Sequence, residues 1–140
     1  MAGKVTRSGL TDWALRLAPA AILAMAVPAK FIGDPGAVAM FTQLGAEPFG
    51  RVATGGFELL AVVLLLVPGV TIYGALLTSG LMSGAILSHL VVLGVAPGGD
   101  PSMFAMAAVA FLASATVIWR RRREIPFIGQ MGAADEFSAP

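Results

Sequence analysis

The chain has 140 residues, of which 57% are hydrophobic and 12% charged, with a formal net charge of +1. A single soluble core of this size cannot bury so much apolar surface, and the small net charge gives no support for a nucleic-acid partner. The chain has no cysteine and one histidine, which excludes disulfides, thiolate nucleophiles, Cys-linked haem and iron–sulfur clusters, and gives no reason to expect a metal site.

Four apolar runs follow one another, each close to the roughly 20 residues that a helix needs to cross a bilayer. Their Ala and Leu content and their lack of alternation favour helices over strands. We therefore predict an all-α protein, an antiparallel four-helix transmembrane bundle in a lipid bilayer. Its spans run from about Asp12 to Phe31, Pro48 to Val67, Thr71 to Val95 and Ser102 to Trp119.

The segments between the runs contain turn and helix-start signals. Asp34-Pro35 predicts the start of a short helix at about residues 36–44, lying at the outer membrane surface between spans one and two. Pro68-Gly69 leaves only a tight turn between spans two and three, so these spans form an antiparallel hairpin. Before span four, Asp100 is expected as the N-cap and Pro101 as the first helical residue.

Basic residues predict the orientation of the bundle. Lys4 and Arg7 precede span one, and a cluster of four follows span four: Arg120, Arg121, Arg122 and Arg123. The positive-inside rule places both termini in the cytoplasm. We expect a multi-pass protein of the plasma membrane, that is, the bacterial inner membrane. We interpret the cluster as a topology anchor; binding of anionic lipid is the alternative.

The predicted domain organisation follows from these signals. Residues 1–11 form a cytoplasmic N-terminal segment, 12–119 the membrane domain, and 120–140 the basic anchor with a disordered tail from Gln130. Ala24-Met25-Ala26 imitates the cleavage site of a signal peptide, but Arg16 interrupts the preceding apolar stretch and argues against cleavage.

Four polar residues are predicted to meet in the outer half of the bundle. At 1.5 Å per residue, Glu58 and His89 lie roughly 9–15 Å below the outer boundary. Lys30 closes span one nearer the surface, and Arg51 lies seven residues before Glu58 on the same helical face. We expect Glu58 to point into the bundle and to meet His89, Lys30 or Arg51.

A charge inside a membrane span is costly, about 2.5–3.5 kcal/mol on insertion scales, and often has a function. One interpretation of the four residues is a ligand-binding or proton-relay site. The other is a polar clamp that fixes helix packing, although hydrogen bonds between membrane helices contribute only about 0.6 kcal/mol on average.

Gly80 and Gly84 form a GxxxG pattern in span three. At 100° per residue they lie opposite His89, so a His89 that points into the bundle leaves the glycine face free for helix packing, lipid or a homodimer.

The order of these features resembles the DoxX family of small four-span membrane proteins, over roughly residues 12 to 119. The Lys, Glu and Ala-x-x-x-His residues appear in the family's order. The matching pieces are Lys30-Phe31, Asp34-Pro35, Gly56-Phe57-Glu58-Leu59-Leu60, Pro68-Gly69, and Gly74-Ala75-Leu76-Leu77 through Gly84-Ala85-Ile86-Leu87-Ser88-His89-Leu90.

The resemblance implies a membrane subunit of a redox or detoxification complex that binds a lipophilic molecule, with a quinone as the candidate cofactor and an oxidoreductase as partner. This makes a binding subunit the expectation rather than a stand-alone enzyme. The alternative it implies is a non-enzymatic assembly factor or scaffold for a client membrane protein. A transporter is disfavoured, because the spans show no broken-helix repeats.

Overall fold

The computed structural model describes residues 7–126, and within them it contains five α-helices and no strand. A π-helical turn, His89–Leu93, continues the fourth helix, and 3₁₀ turns span Pro97–Gly99 and Arg122–Glu124. The predicted all-α architecture is confirmed. The helices are α1 (Arg7–Ile32), α2 (Pro35–Gln43), α3 (Phe49–Leu66), α4 (Thr71–Ser88) and α5 (Ser102–Arg121).

The four long helices form a closed ring in the order α1, α3, α4, α5, and α5 packs back onto α1. Their length and apolar composition suit membrane spans. Because consecutive spans are joined by short connections, neighbours in the ring run antiparallel. Hereafter the terminal end is the end where α1 begins and α5 finishes, and the α2 end is the opposite one.

The interior of the ring is narrow, because small side chains let the helices approach closely. Large apolar side chains such as Leu90 and Leu112 point outward and are exposed, as expected where the surrounding solvent is lipid. The interior consists of Ala20, Leu23, Ala61, Leu65, Ala75, Met82, Ala107, Ala110 and Val117.

The turn between α3 and α4 depends on Gly74. A Cβ atom built at this glycine would lie 2.5 Å from the backbone nitrogen of Leu65 and 2.8 Å from the carbonyl carbon of Leu64. The absence of a side chain therefore lets the first turn of α4 contact the backbone of α3, which holds the predicted hairpin tightly together.

Helix α2 begins where the sequence predicts it. The Asp34 carboxylate accepts hydrogen bonds from the backbone N–H groups of Gly36, at 2.9 Å, and Ala37, at 3.4 Å. Pro35 occupies the first turn, where its missing N–H has no cost. The helix contacts α1, α3 and the π-helical turn, and so lies across the α2 end of the bundle.

Several helix boundaries differ from the prediction, and α1 begins at Arg7, before the predicted Asp12. Regular α-helix in the third span ends at Ser88, because the backbone widens into the π-helical turn at His89. Span four starts at Ser102, with Pro101 rather than Asp100 at the N-cap, yet Asp100 still accepts a hydrogen bond from the Ser102 N–H at 2.9 Å. Lys4, which contributes to the predicted orientation, and the predicted disordered tail from Gln130 lie outside the described residues.

Candidate functional site

A cavity of about 560 Å³ lies near the α2 end, bounded by α2, α3, α4 and the last turns of α1. Most of its wall is apolar. Met40 and Phe41 contribute from α2 and Leu44 from the residue that caps it, and the wall on α4 reaches Leu76. The distance along a helix from Leu76 to His89 is about 20 Å, so the cavity is long enough for an extended molecule.

The polar side chains in this wall lie toward the α2 end. Lys30 and Glu58 form an ion pair in which the ammonium nitrogen lies 2.8 Å from Oε2, and these side chains are 14% and 5% exposed. Gly55 permits the approach of α1, because a Cβ atom there would lie 3.2 Å from Lys30 Cβ. The predicted contact of Glu58 with a basic group is therefore present, and Lys30 is its partner.

His89 also lines the cavity, and its side chain is buried. Its Nδ1 atom lies 2.9 Å from the carbonyl oxygen of Gly94, at the end of the π-helical turn. Gly94 has a φ of 81°, a conformation that favours glycine. Phe104 packs edge-on against the imidazole, with the ring centroids 5.9 Å apart. Two fixed partners therefore hold the imidazole in one orientation.

Glu58 and His89 line the same cavity but bond to different groups. Glu58 pairs with Lys30 and His89 with the Gly94 carbonyl, and no hydrogen bond joins the two within residues 7–126.

Arg51 does not line the cavity, contrary to the predicted grouping. Its Nε donates to both carboxylate oxygens of Glu47 at 2.9 Å, and its Nη1 donates to the carbonyl oxygen of Lys30. Glu47 lies four residues earlier, one helical turn away, and is the nearer anion. Arg51 therefore fastens the segment before α3 to the end of α1.

Gly80 and Gly84 line the cavity rather than a face remote from His89. A projection at 100° per residue describes α4 alone, whereas the cavity borders a broad sector of this helix that includes both glycines and His89. A Cβ atom at either glycine would meet nothing within 4 Å, so neither glycine is needed for packing inside the bundle. A dimer through this face stays a prediction.

A second polar cluster, which the sequence did not predict, lies at the terminal end of the bundle. Buried Arg16 donates from Nε to the carbonyl oxygen of Leu65 at 2.8 Å and from Nη2 to that of Leu66 at 3.2 Å. These carbonyls end α3 and have no partner within the helix. Asp12 accepts a hydrogen bond from Arg121 at 2.7 Å and lies 3.8 Å from Arg16.

The four arginines of the predicted anchor have different surroundings. Arg121 pairs with Asp12 and Glu124, and Arg122 lies over the Trp119 ring at 4.6 Å. Arg120 and Arg123 are exposed. The anchor role stays a prediction, and Arg121 also joins the two ends of the ring.

The cavity contains groups that bind and orient polar atoms. Lys30 donates, Glu58 accepts, and the Thr54 and Ser88 hydroxyls also lie in its wall. Within residues 7–126, no group of three or more His, Asp or Glu side chains could hold a metal ion.

Comparison with known proteins gives one family match. The model of the DoxX-like family matches residues 14–117, which include the four long helices in large part and every polar residue of the cavity. No curated protein and no solved structure matches the chain.

Proposed function

The chain belongs to the DoxX-like family, and from that premise we propose that it binds an elongated lipophilic molecule in the cavity beneath α2. A quinone is the first candidate. In this proposal the protein is a membrane subunit of a redox or detoxification complex, and the oxidoreductase chemistry belongs to a partner protein.

The observation that carries the proposal is the Lys30–Glu58 ion pair in the wall of an otherwise apolar cavity. Two charges removed from water are costly, and an apolar pair of similar volume is often equally stable. Stability alone therefore explains the pair poorly. An ion pair beside an open cavity supplies both a donor and acceptors for the polar head of a ligand.

The dimensions of the cavity support the same proposal. Its volume of about 560 Å³ falls within the roughly 300–1,000 Å³ of ligand sites, which combine apolar walls with a few placed polar groups. The polar groups lie toward the α2 end, and the apolar wall continues along α4. This arrangement suits a ring or head group with an attached hydrocarbon chain.

The test is to purify the protein in mild detergent and identify copurified small molecules by mass spectrometry. Thermal unfolding is then followed with decylubiquinone, because a ligand that binds only the folded state raises the Tm with its concentration. Gly80→Leu is the variant of choice, since it fills the apolar part of the cavity and leaves the polar groups unchanged.

We expect copurified lipophilic molecules and a rise in Tm with decylubiquinone for the natural protein, and neither for Gly80→Leu. A protein without copurified ligand, whose Tm does not respond to decylubiquinone, would contradict the proposal. The assembly-factor alternative would then be favoured, and crosslinking to a client protein would test it.

A further inference from the structure

The hydrogen bonds within the cavity determine which form of head group fits it. We infer that the cavity prefers a head group carrying hydroxyl hydrogens, such as a reduced quinol, over one offering only carbonyl oxygens. This inference rests on the proposed function and specifies its ligand.

The contact with the Gly94 carbonyl determines the tautomer of His89. A carbonyl oxygen only accepts hydrogen bonds, so the 2.9 Å contact between Gly94 O and His89 Nδ1 places a hydrogen on Nδ1. In the neutral imidazole, Nε2 is then an acceptor. The Gly94 carbonyl and the edge-on Phe104 ring hold the imidazole in this orientation. In its neutral form, His89 thus offers a ligand an acceptor and no donor.

Two further side chains in the cavity wall, Ser88 and Glu58, also offer hydrogen-bond acceptors. The Ser88 hydroxyl already donates its hydrogen to the Gly84 carbonyl oxygen at 2.8 Å, so its oxygen is left as an acceptor. The Glu58 carboxylate accepts only, and within residues 7–126 its Oε2 has no hydrogen-bond partner beyond its ion pair with Lys30. Among the described residues, the side-chain donors in the cavity wall are Lys30 and the Thr54 hydroxyl.

A ligand must therefore supply hydrogens to satisfy this wall. A quinone carbonyl accepts from Lys30 or Thr54 and leaves the acceptors unmatched, whereas a quinol hydroxyl accepts and donates at once. One hydrogen bond gained by a buried acceptor corresponds to about tenfold tighter binding. Tenfold preference for the reduced form raises the two-electron potential of the bound couple by about 30 mV.

The experiment measures binding of decylubiquinol and decylubiquinone to the full chain in nanodiscs under anaerobic, reducing or oxidising conditions. A third probe is the dimethyl ether of decylubiquinol, which keeps the ring but has no hydroxyl hydrogens. We expect decylubiquinol to bind about tenfold more tightly than the other two. This comparison needs only the natural protein and does not depend on the folding of a variant.

Two variants assign the effect to the imidazole. His89→Phe keeps an aromatic ring against Phe104 but removes the acceptor, so the preference for decylubiquinol should fall severalfold. Leu90→Phe, at the exposed neighbour of His89, keeps the imidazole and both of its contacts, so the preference should remain. A His89→Phe protein that keeps the full preference would overturn the role of His89.

The remaining outcomes separate this inference from the proposed function. Equal or tighter binding of decylubiquinone overturns the inference and leaves the proposed function intact, whereas binding of neither form overturns both. A linear alcohol, 1-decanol, distinguishes the source of the hydroxyl. Binding of 1-decanol as tight as that of decylubiquinol would support the preference for a hydroxyl and assign it to lipid alcohols.

Discussion

The ammonium group of Lys30 lies 2.8 Å from Glu58 Oε2, which joins the last turns of α1 to the middle of α3. Each buried charge is stabilised by the opposite charge of its partner. Removal of one partner of a buried ion pair typically costs about 3–5 kcal/mol, much of it the cost of leaving the other charge unpaired.

Glu58→Gln alone should therefore lower the Tm, because Lys30 loses its counter-charge. Lys30→Gln with Glu58→Gln should recover most of the loss, since two amides of similar length can bond to each other. Melting of the single and double variants in detergent measures the coupling. Strictly additive losses would contradict the importance of the pair. If the pair also binds a ligand, the stable double variant should no longer respond to decylubiquinone.

Gly74→Ala should destabilise the α3–α4 hairpin by roughly 1–3 kcal/mol, because the added methyl group overlaps with the backbone of Leu64 and Leu65. Gly80→Ala is the matched control, since its methyl group meets nothing within 4 Å. Alanine favours helix over glycine, so the control should be neutral or slightly stabilising. Equal Tm values for the two variants would argue against the close approach at Gly74.

Arg16→Met should lower stability by roughly 1.5–3 kcal/mol, the usual contribution of hydrogen bonds to a charged group. The change leaves the carbonyl groups of Leu65 and Leu66 without their side-chain donor at the end of α3. Arg123→Gln removes the same charge from an exposed position and should have little effect. Melting curves of both variants measure the two losses of stability. A larger loss for Arg123→Gln than for Arg16→Met would contradict the stabilising role of Arg16.

Asp100 gives the start of α5 a dependence on pH. Its pKa lies below the usual value because the backbone N–H of Ser102, and then the Ser102 hydroxyl, donate to the carboxylate. A lowered pKa in the folded state contributes stability above the unfolded-state pKa, and this contribution is lost as pH falls through the folded-state pKa.

Asp100→Asn should therefore melt below the natural protein at pH 7, and the difference should shrink as pH falls below the ordinary aspartate pKa of about 3.9. Thermal unfolding at several pH values checks this. A difference that grows on acidification would have the wrong sign.

The orientation of the bundle can be tested because the chain has no natural cysteine. We expect Ala96→Cys, in the loop before α5, to react with a membrane-impermeant maleimide in intact cells. Arg123→Cys should react only after permeabilisation, because the positive-inside rule places the terminal end in the cytoplasm. The reverse pattern of labelling would invert the topology.

The fold could be predicted because its determinants are local. Apolar runs of span length and turn signals such as Asp34-Pro35 and Pro68-Gly69 lie within single segments of sequence. The depth of Lys30 and Glu58 also followed from counting residues along their helices, which placed them near enough to meet.

The parts of the site that were missed depend on which helices become neighbours. Arg16 donates to the carbonyl groups of Leu65 and Leu66, which lie 49 and 50 residues later in the chain. No local sequence pattern around Arg16 predicts these contacts. For Arg51 a local cue existed: Glu47, one turn earlier, forms an i,i+4 pair that spacing alone suggests. Gly80 and Gly84 lie in the cavity wall because the cavity beside α4 is broad. A projection of one helix gives no information about the space between that helix and its neighbours.

The contact between Asp12 and Arg121 also bears on how the protein is made. The two residues are 109 positions apart, on the first and last helices of the ring. During synthesis, α1 reaches the membrane long before its partner on α5 leaves the ribosome. Until then α1 packs mainly on α3, and its flank that later contacts α5 stays open to lipid or to insertion factors. Closure of the ring by α5 is thus a late step of biogenesis, which follows the insertion of the three preceding spans.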